Sequence, residues 1–197
     1  MAENDKVDPL AHEMQKMQLA VAEVTLAWAD VENLMAVILR QILGHEIDGS
    51  IASAIYFAPN NLETRFAIVD RALRAIIVGN QSRAEIVEAW GGIQNTLNHL
   101  KRMRNKVAHG EIITRRSDGK SYIRFTAPLT DYASHYESRR TGQLPGHSSG
   151  DLENSAKSVR ELVVRLHLMI PLVRALYSGN ETTLLETLAQ LRTDPQT

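Results

Sequence analysis

The chain has no cysteine, which excludes disulfide frameworks, thiolate metal sites and thiol nucleophiles. It also has no apolar run of the roughly 18 to 20 residues that a membrane span requires, so no membrane partner is expected. Its first ten residues are polar and acidic, whereas a signal peptide begins basic and then turns apolar, and this predicts a cytoplasmic protein. A Gly-rich phosphate loop and a His-Glu-x-x-His zinc motif are also absent, so neither a cofactor nor a metal is predicted.

The composition is that of an ordinary globular protein. In 197 residues, 44% are hydrophobic and 23% are charged, which predicts a single domain over residues 1–197. The net charge of −1 gives the whole chain no electrostatic attraction to nucleic acid, but basic residues are concentrated locally. The cluster consists of Lys101, Arg102, Arg104, Lys106, Arg115, Arg116, Lys120 and Arg124. This cluster predicts either a phosphate-binding surface or a merely solvated helix end and hairpin.

Apolar periodicity predicts a mainly α-helical fold. The first helix is expected over Pro9–Leu43, because Asp8 is a good N-cap, Pro9 suits the first helical position and Gly44 ends the pattern. Three further helices are predicted before the hairpin: one over 50–57, one that begins at Asn60 or Asn61 and ends at Gly79–Asn80, and one over 82–109. Two more are predicted after it: one that begins at Asp151 and is kinked at Pro171, and one over 181–191. In the fourth helix, Gly91-Gly92 predicts a kink or a close helix contact.

A change of period follows the fourth helix. Residues 111–126 alternate in the manner of two strands around an Asp118-Gly119 turn, which predicts a β-hairpin. The stretch 130–150 is rich in turn-forming residues and is predicted to be a mobile loop.

The fourth helix ends with the segment Arg104-Asn105-Lys106-Val107-Ala108-His109. In this pattern, at the end of a bundle helix, the chain resembles the HEPN superfamily. The resemblance implies an up-and-down helical bundle that forms a homodimer and cleaves RNA without metal in toxin–antitoxin or defence systems, with an antitoxin protein as a further partner. It also implies a catalytic His109, a phosphate-contacting Arg104 and a supporting Asn105, with the motifs of two subunits forming one cleft. The resemblance covers the bundle, but neither the hairpin nor the loop.

The chemistry of these residues suits cleavage of RNA by its own 2′-hydroxyl. That reaction needs a base for the hydroxyl proton, an acid for the 5′-oxygen and positive charge on the phosphorus centre. Histidine serves as acid or base near neutral pH, and a guanidinium pairs with phosphate oxygens. The amide of Asn105, four residues before His109, is placed to orient either the imidazole or a substrate oxygen. We expect Lys101, Arg102 and Lys106 to guide the RNA backbone.

Helix geometry leaves a structural interpretation open. Arg104 precedes His109 by five residues, about 140° around a helix, so the two meet only across two chains. Arg104 also stands where the apolar stripe of its helix calls for an apolar residue, and Glu32 does the same in the first helix. A Glu32–Arg104 pair would either support a catalytic arginine or merely fix helix register.

The remaining candidates are weaker. His12 and His99 are isolated on helices. His135 and His147 fall in the predicted loop, where they could close over a substrate but where the sequence context is uninformative. The two tryptophans, Trp28 and Trp90, stand in apolar stripes typical of core residues. Two alternatives to a ribonuclease therefore remain: a non-catalytic helical bundle that binds RNA or a protein partner, and an interaction module in which the motif is purely structural.

Overall fold

The computed structural model describes residues 8–44, 47–78, 80, 82–117, 119–126 and 146–193. In this part of the chain, the order along the sequence is four helices, one two-stranded antiparallel hairpin and two further helices. The elements are α1 (Pro9–Leu43), α2 (Gly49–Phe57), α3 (Leu62–Ile76), α4 (Arg83–His109), β1 (Glu111–Ser117), β2 (Lys120–Thr126), α5 (Ser149–Ser178) and α6 (Glu181–Thr193). The prediction of a mainly α-helical fold with a small hairpin after the motif helix is confirmed. The HEPN-like, up-and-down arrangement stays a prediction.

Capping residues explain where several helices begin and end. The Asp8 carboxylate accepts a hydrogen bond from the Leu10 amide at 3.0 Å, and Gly44 ends α1 with a φ of +97° that a glycine adopts at low cost. The Asn61 side chain accepts from the Thr64 amide at 2.7 Å and caps α3. Helix α4 begins directly after Ser82, close to the predicted position.

The two glycines inside α4 differ in their surroundings. A Cβ atom on Gly91 would meet no other atom within 4 Å, whereas one on Gly92 would lie 3.0 Å from a guanidinium nitrogen of Arg165 in α5. The nearest atom to Gly92 is thus the end of a flexible side chain, and Gly91 has open space, so the kink or close helix contact stays a prediction.

The hairpin follows the motif helix as predicted. Strands β1 and β2 pair in one register from Glu111↔Thr126 at the open end to Ser117↔Lys120 at the turn. Gly119 has a φ of +74°, as an Asp-Gly turn requires, and Asp118 lies outside the described residues. Gly110, which joins α4 to β1, needs to be glycine for space rather than for a positive φ: a Cβ there would lie 2.4 Å from the Phe125 ring.

The end of the predicted 130–150 loop is ordered, which corrects the sequence prediction. Residues 127–145 lie outside the described residues, but His147 forms an antiparallel bridge with Phe125, with backbone hydrogen bonds of 2.9 and 2.7 Å. Helix α5 begins at Ser149 rather than Asp151. The Ser148 hydroxyl accepts from the Asp151 amide, and the Asp151 carboxylate accepts from the Ser148 amide at 2.8 Å, so the two residues form a capping box.

Helix α5 contains Pro171 and continues to Ser178, so Pro171 does not end the helix, and the kink stays a prediction. Helix α6 extends two residues beyond the predicted Leu191. No helix among the described residues is both long enough and apolar enough to cross a bilayer.

The chain divides into two compact units, one formed by Met1–Trp28 with Leu100–Val159 and the other by Ala29–His99 with Arg160–Thr197. The first unit buries residues of α1, the hairpin and α5, namely Met17, Val24, Trp28, Ile123, Phe125, Leu152 and Val159. The second unit buries a larger set that includes Val31, Ile38, Tyr56, Leu73, Trp90, Ile93, Leu166 and Leu188. Both tryptophans are therefore core residues, as predicted, and the Trp90 indole donates to Asp70 at 2.9 Å. The single 1–197 domain stays a prediction.

Candidate functional site

The last turns of α4 expose one polar face. Arg102, Asn105, Lys106 and His109 are spaced three, one and three residues apart, which places them within about 100° of one another around the helix. Arg102, Asn105 and His109 are exposed, and Lys106 is half-buried. This face, defined by these four residues and called the α4 polar face below, contains two of the three predicted catalytic residues.

Arg104 lies on the opposite side of α4. It continues the line of buried residues Ile93, Leu97 and Leu100, and its side chain is half-buried. Its guanidinium nevertheless reaches round the helix and donates to the Asn105 side-chain oxygen at 3.4 Å. The structure therefore brings Arg104 and Asn105 together. This bond engages the same amide that the sequence assigned to orienting His109.

His109 is the last residue of α4 and is exposed. Within one chain, its helix position remains about 140° from that of Arg104. The third predicted cation, Lys101, is half-buried beside the α4 polar face rather than on it.

Glu32 has a partner that the sequence did not suggest. Its carboxylate accepts from Arg65 of α3 in an ion pair whose side chains are only 14% and 19% exposed. Arg65 also donates to the Pro59 carbonyl at 2.9 Å and lies over the Phe57 ring. Burial, followed by the Glu32 carboxylate, raises the pKa of the neighbouring Tyr56 hydroxyl, while Arg65 lowers it. Arg65 is therefore one partner of the Glu32 carboxylate, and the Glu32–Arg104 pair stays a prediction.

The structure places one further histidine against the motif helix. The Nε2 atom of His147 lies 3.3 Å from Nζ of Lys106, one of the residues of the α4 polar face. A lysine ammonium only donates, so a hydrogen bond between these two atoms requires Nε2 to be the acceptor. Burial, followed by the Lys106 charge, lowers the pKa of His147, whereas the Asp151 carboxylate raises it.

Sequence reasoning left His147 as a weak loop candidate and did not predict its contact with Lys106, because that contact is long-range. Lys106 stands 41 positions away, and no spacing rule joins a helix residue to a residue so distant. One local signal was available: the Ser148-x-x-Asp151 capping box marks a helix start, and it would have placed His147 directly before α5 instead of inside a loop.

The basic cluster of residues 101–124 lies entirely within one compact unit. Arg116 and Lys120 are exposed on the hairpin, while Arg115 and Arg124 are half-buried, each with a buried Nε that has no partner among the described residues. Cations of α4 and of the hairpin therefore belong to the same unit as His109 and His147.

A cavity of about 520 Å³ lies in the same unit. It is lined by Asp8, Pro9, Leu10, Glu13, Ser121, Tyr122, Ile123, Arg124, Ser148 and Ser149. Two carboxylates face one guanidinium in this lining, so the cavity suits a phosphate less well than the α4 polar face does.

No family model, curated protein or solved structure matches this chain. Among the described residues, no three or more histidine, aspartate or glutamate side chains are grouped so that they could hold a metal ion. The residues themselves therefore provide the basis for a functional proposal.

Proposed function

We propose that the protein is a metal-independent endoribonuclease of the HEPN kind, acting in a toxin–antitoxin or defence system. It cleaves single-stranded RNA through attack of the 2′-hydroxyl and leaves a 2′,3′-cyclic phosphate. The observation that supports this best is the α4 polar face, where exposed His109 shares one side of a helix end with Arg102, Asn105 and Lys106.

Each residue has a role in that reaction. His109 transfers a proton at the cleaved bond, which is the work that an imidazole performs near neutral pH. Arg104 binds the phosphate and stabilises the charge that develops on it, and Asn105 positions the Arg104 guanidinium to which it is bonded. Lys101, Arg102 and Lys106 hold the RNA backbone.

The site requires two copies of the chain. Arg104 and His109 lie on different sides of α4, so a homodimer packed near this helix end would bring the arginine of one copy to the histidine of the other. The proposal also includes RNA as substrate, an antitoxin protein that restrains the activity, and a cytoplasmic location.

The decisive experiment measures cleavage of labelled single-stranded RNA by purified protein in excess EDTA. We expect His109→Ala to lower the rate by about 10²- to 10⁴-fold, the usual contribution of an acid–base group, and to abolish growth arrest on expression in bacteria. His167→Ala is the matched control, because His167 is an exposed helical histidine of α5 outside the site. Full activity in His109→Ala would exclude His109 from the mechanism.

A mixing experiment tests the two-chain site. Arg104→Ala and His109→Ala should each be inactive alone. In a mixed dimer, one of the two composite sites keeps both residues. Because random exchange in an equimolar mixture makes half of the dimers mixed, activity should return to about a quarter of the wild-type value. If the mixture stays inactive although light scattering shows dimers, the arginine and histidine do not act across two chains.

The half-buried position of Arg104 favours a second candidate, a non-catalytic bundle that binds RNA or a protein partner. In that case RNA binding is salt-sensitive and no product forms. If RNA does not bind either, a helical interaction module remains. Arg104→Ala would then destabilise the fold by several kcal/mol, as expected when a buried pair is broken, and His109→Ala would change little.

A further inference from the structure

A ribonuclease that uses no metal needs two proton-transfer groups, and the motif of this chain contains one imidazole. The 2′-hydroxyl must lose a proton as its oxygen attacks phosphorus, and the 5′-oxygen must gain one as its bond to phosphorus breaks. His109 performs one of these transfers in the function proposed above. The second group should lie close to the α4 polar face, and it should be in the opposite protonation state.

His147 meets the requirement of position. Lys106 lies three residues before His109, so the two side chains are neighbours on one face of α4. The Lys106 ammonium lies 3.3 Å from Nε2 of His147. A phosphate bound at that ammonium would therefore be close to both imidazoles.

The backbone around His147 is held on both sides. Its amide donates to the Phe125 carbonyl at 2.7 Å and its carbonyl accepts from the Phe125 amide at 2.9 Å. The next residue, Ser148, forms the capping box of α5 with Asp151. Holding a side chain on a fixed backbone is what an acid–base group requires, because small displacements cost much of its effect.

Its protonation state also suits one of the two roles. Of the charged groups facing the ring, Lys106 on α4 disfavours the imidazolium and Asp151 on α5 favours it. Strand β2 pairs with His147 through the uncharged backbone of Phe125. Burial has the largest effect, and with Lys106 it keeps the pKa of His147 below its usual value. The neutral imidazole that results can accept a proton.

We propose, on the basis of the function proposed above, that His147 is the second catalytic residue of the ribonuclease and acts as its general base. Nε2 of His147 takes the 2′-hydroxyl proton as the 2′-oxygen bonds to phosphorus. The bond between phosphorus and the 5′-oxygen breaks, and His109 donates a proton to that oxygen. Lys106 is a positioning residue: its ammonium moves from Nε2 to the phosphate when RNA binds, and this frees the lone pair of Nε2.

The test compares wild type, His147→Gln and the control His167→Gln in EDTA, with thermal unfolding of each variant as a check on folding. Glutamine retains an acceptor for Lys106 but cannot transfer a proton. We expect His147→Gln to bind RNA with a Kd within about twofold of wild type and to cut it at least about a hundredfold more slowly. The control should cut at the wild-type rate.

The pH profile of Lys106→Met tests the positioning role. As pH falls, the base becomes protonated and the rate decreases. Without the Lys106 charge, the pKa of His147 rises, so the midpoint of this decrease should move to higher pH, whatever the loss in overall rate. An unmoved midpoint would overturn the role of Lys106.

The outcomes distinguish this inference from the proposed function. If the wild type cuts RNA, His109→Ala does not and His147→Gln cuts within threefold of wild type, His147 is not the base and the ribonuclease proposal stands. If wild-type protein produces no cleavage at any pH between 5 and 9, both proposals are wrong.

Discussion

Replacing Gly110 with alanine should destabilise the protein because the structure leaves no room for a side chain there. A Cβ atom would lie 2.4 Å from Cζ and 2.6 Å from Cε1 of Phe125, and 2.5 Å from the Thr126 carbonyl oxygen. Phe125 is only 2% exposed, so its ring has no solvent to move into. The oxygen belongs to the backbone of β2, which is fixed by pairing with β1.

The size of the effect follows from these contacts. Adding a methyl group to a packed core costs roughly 1 to 3 kcal/mol, and the upper end applies because one of the colliding atoms is backbone. For a chain of this length, each kcal/mol lowers Tm by about 2 to 4 °C. We therefore expect Gly110→Ala to lower Tm by about 6 to 12 °C in thermal unfolding followed by far-UV circular dichroism.

Gly91→Ala, inside α4, is the matched control. A Cβ there meets no atom within 4 Å, so the substitution should gain helix propensity of about 1 kcal/mol and raise Tm by about 2 to 4 °C. A Gly110→Ala protein as stable as wild type, or a shift of the same sign at both glycines, would refute the packing around Phe125 described above.

Two further predictions concern side-chain pairs. Glu32→Ala should lower the free energy of unfolding by about 2 kcal/mol in urea titrations, because it leaves Arg65 without its carboxylate; this is less than the cost of breaking a fully buried pair. The control Glu13→Ala removes an ion pair whose side chains are about half exposed and should cost under about 0.5 kcal/mol. Equal costs for the two variants would contradict this interpretation. Asp151→Ala should cost about 1 kcal/mol at pH 7. The amide and hydroxyl of Ser148 hold the pKa of Asp151 below its usual value. The stabilisation is therefore present above the unfolded pKa of about 3.9 and is lost as pH falls through the folded pKa. If wild type and variant differ in unfolding free energy by the same amount at pH 2.5 as at pH 7, this prediction is wrong.

Features encoded by neighbouring residues were predictable from the sequence. The ends of α1 followed from Asp8 and Gly44, whose preferences act within one helical turn. The hairpin register followed from the Asp118-Gly119 turn, because a two-residue turn fixes which residues of the two strands face each other. The position of Arg104 on the apolar side of α4 followed from helical periodicity.

Features that depend on distant residues were not predictable. One partner of Glu32 is Arg65, which stands 33 positions away in the chain, and no spacing rule selects it among the arginines. His147 meets Lys106 across 41 positions. The capping residue Ser148 next to it could be identified from the sequence, but the turn-forming residues around it favoured the prediction of a loop. The α4 residues of the candidate site were therefore predicted, whereas the contact between His147 and Lys106 was not.

Phe125 joins three parts of the molecule that are separate in the sequence. Its ring lies against Gly110 at the end of α4, its backbone pairs with His147, and its strand completes the hairpin. A two-stranded hairpin is barely stable alone in water, so these strands depend on the ring for their order. The hairpin is consequently part of the framework that holds His147, and thermal opening of the hairpin would remove the backbone pairing that fixes this residue.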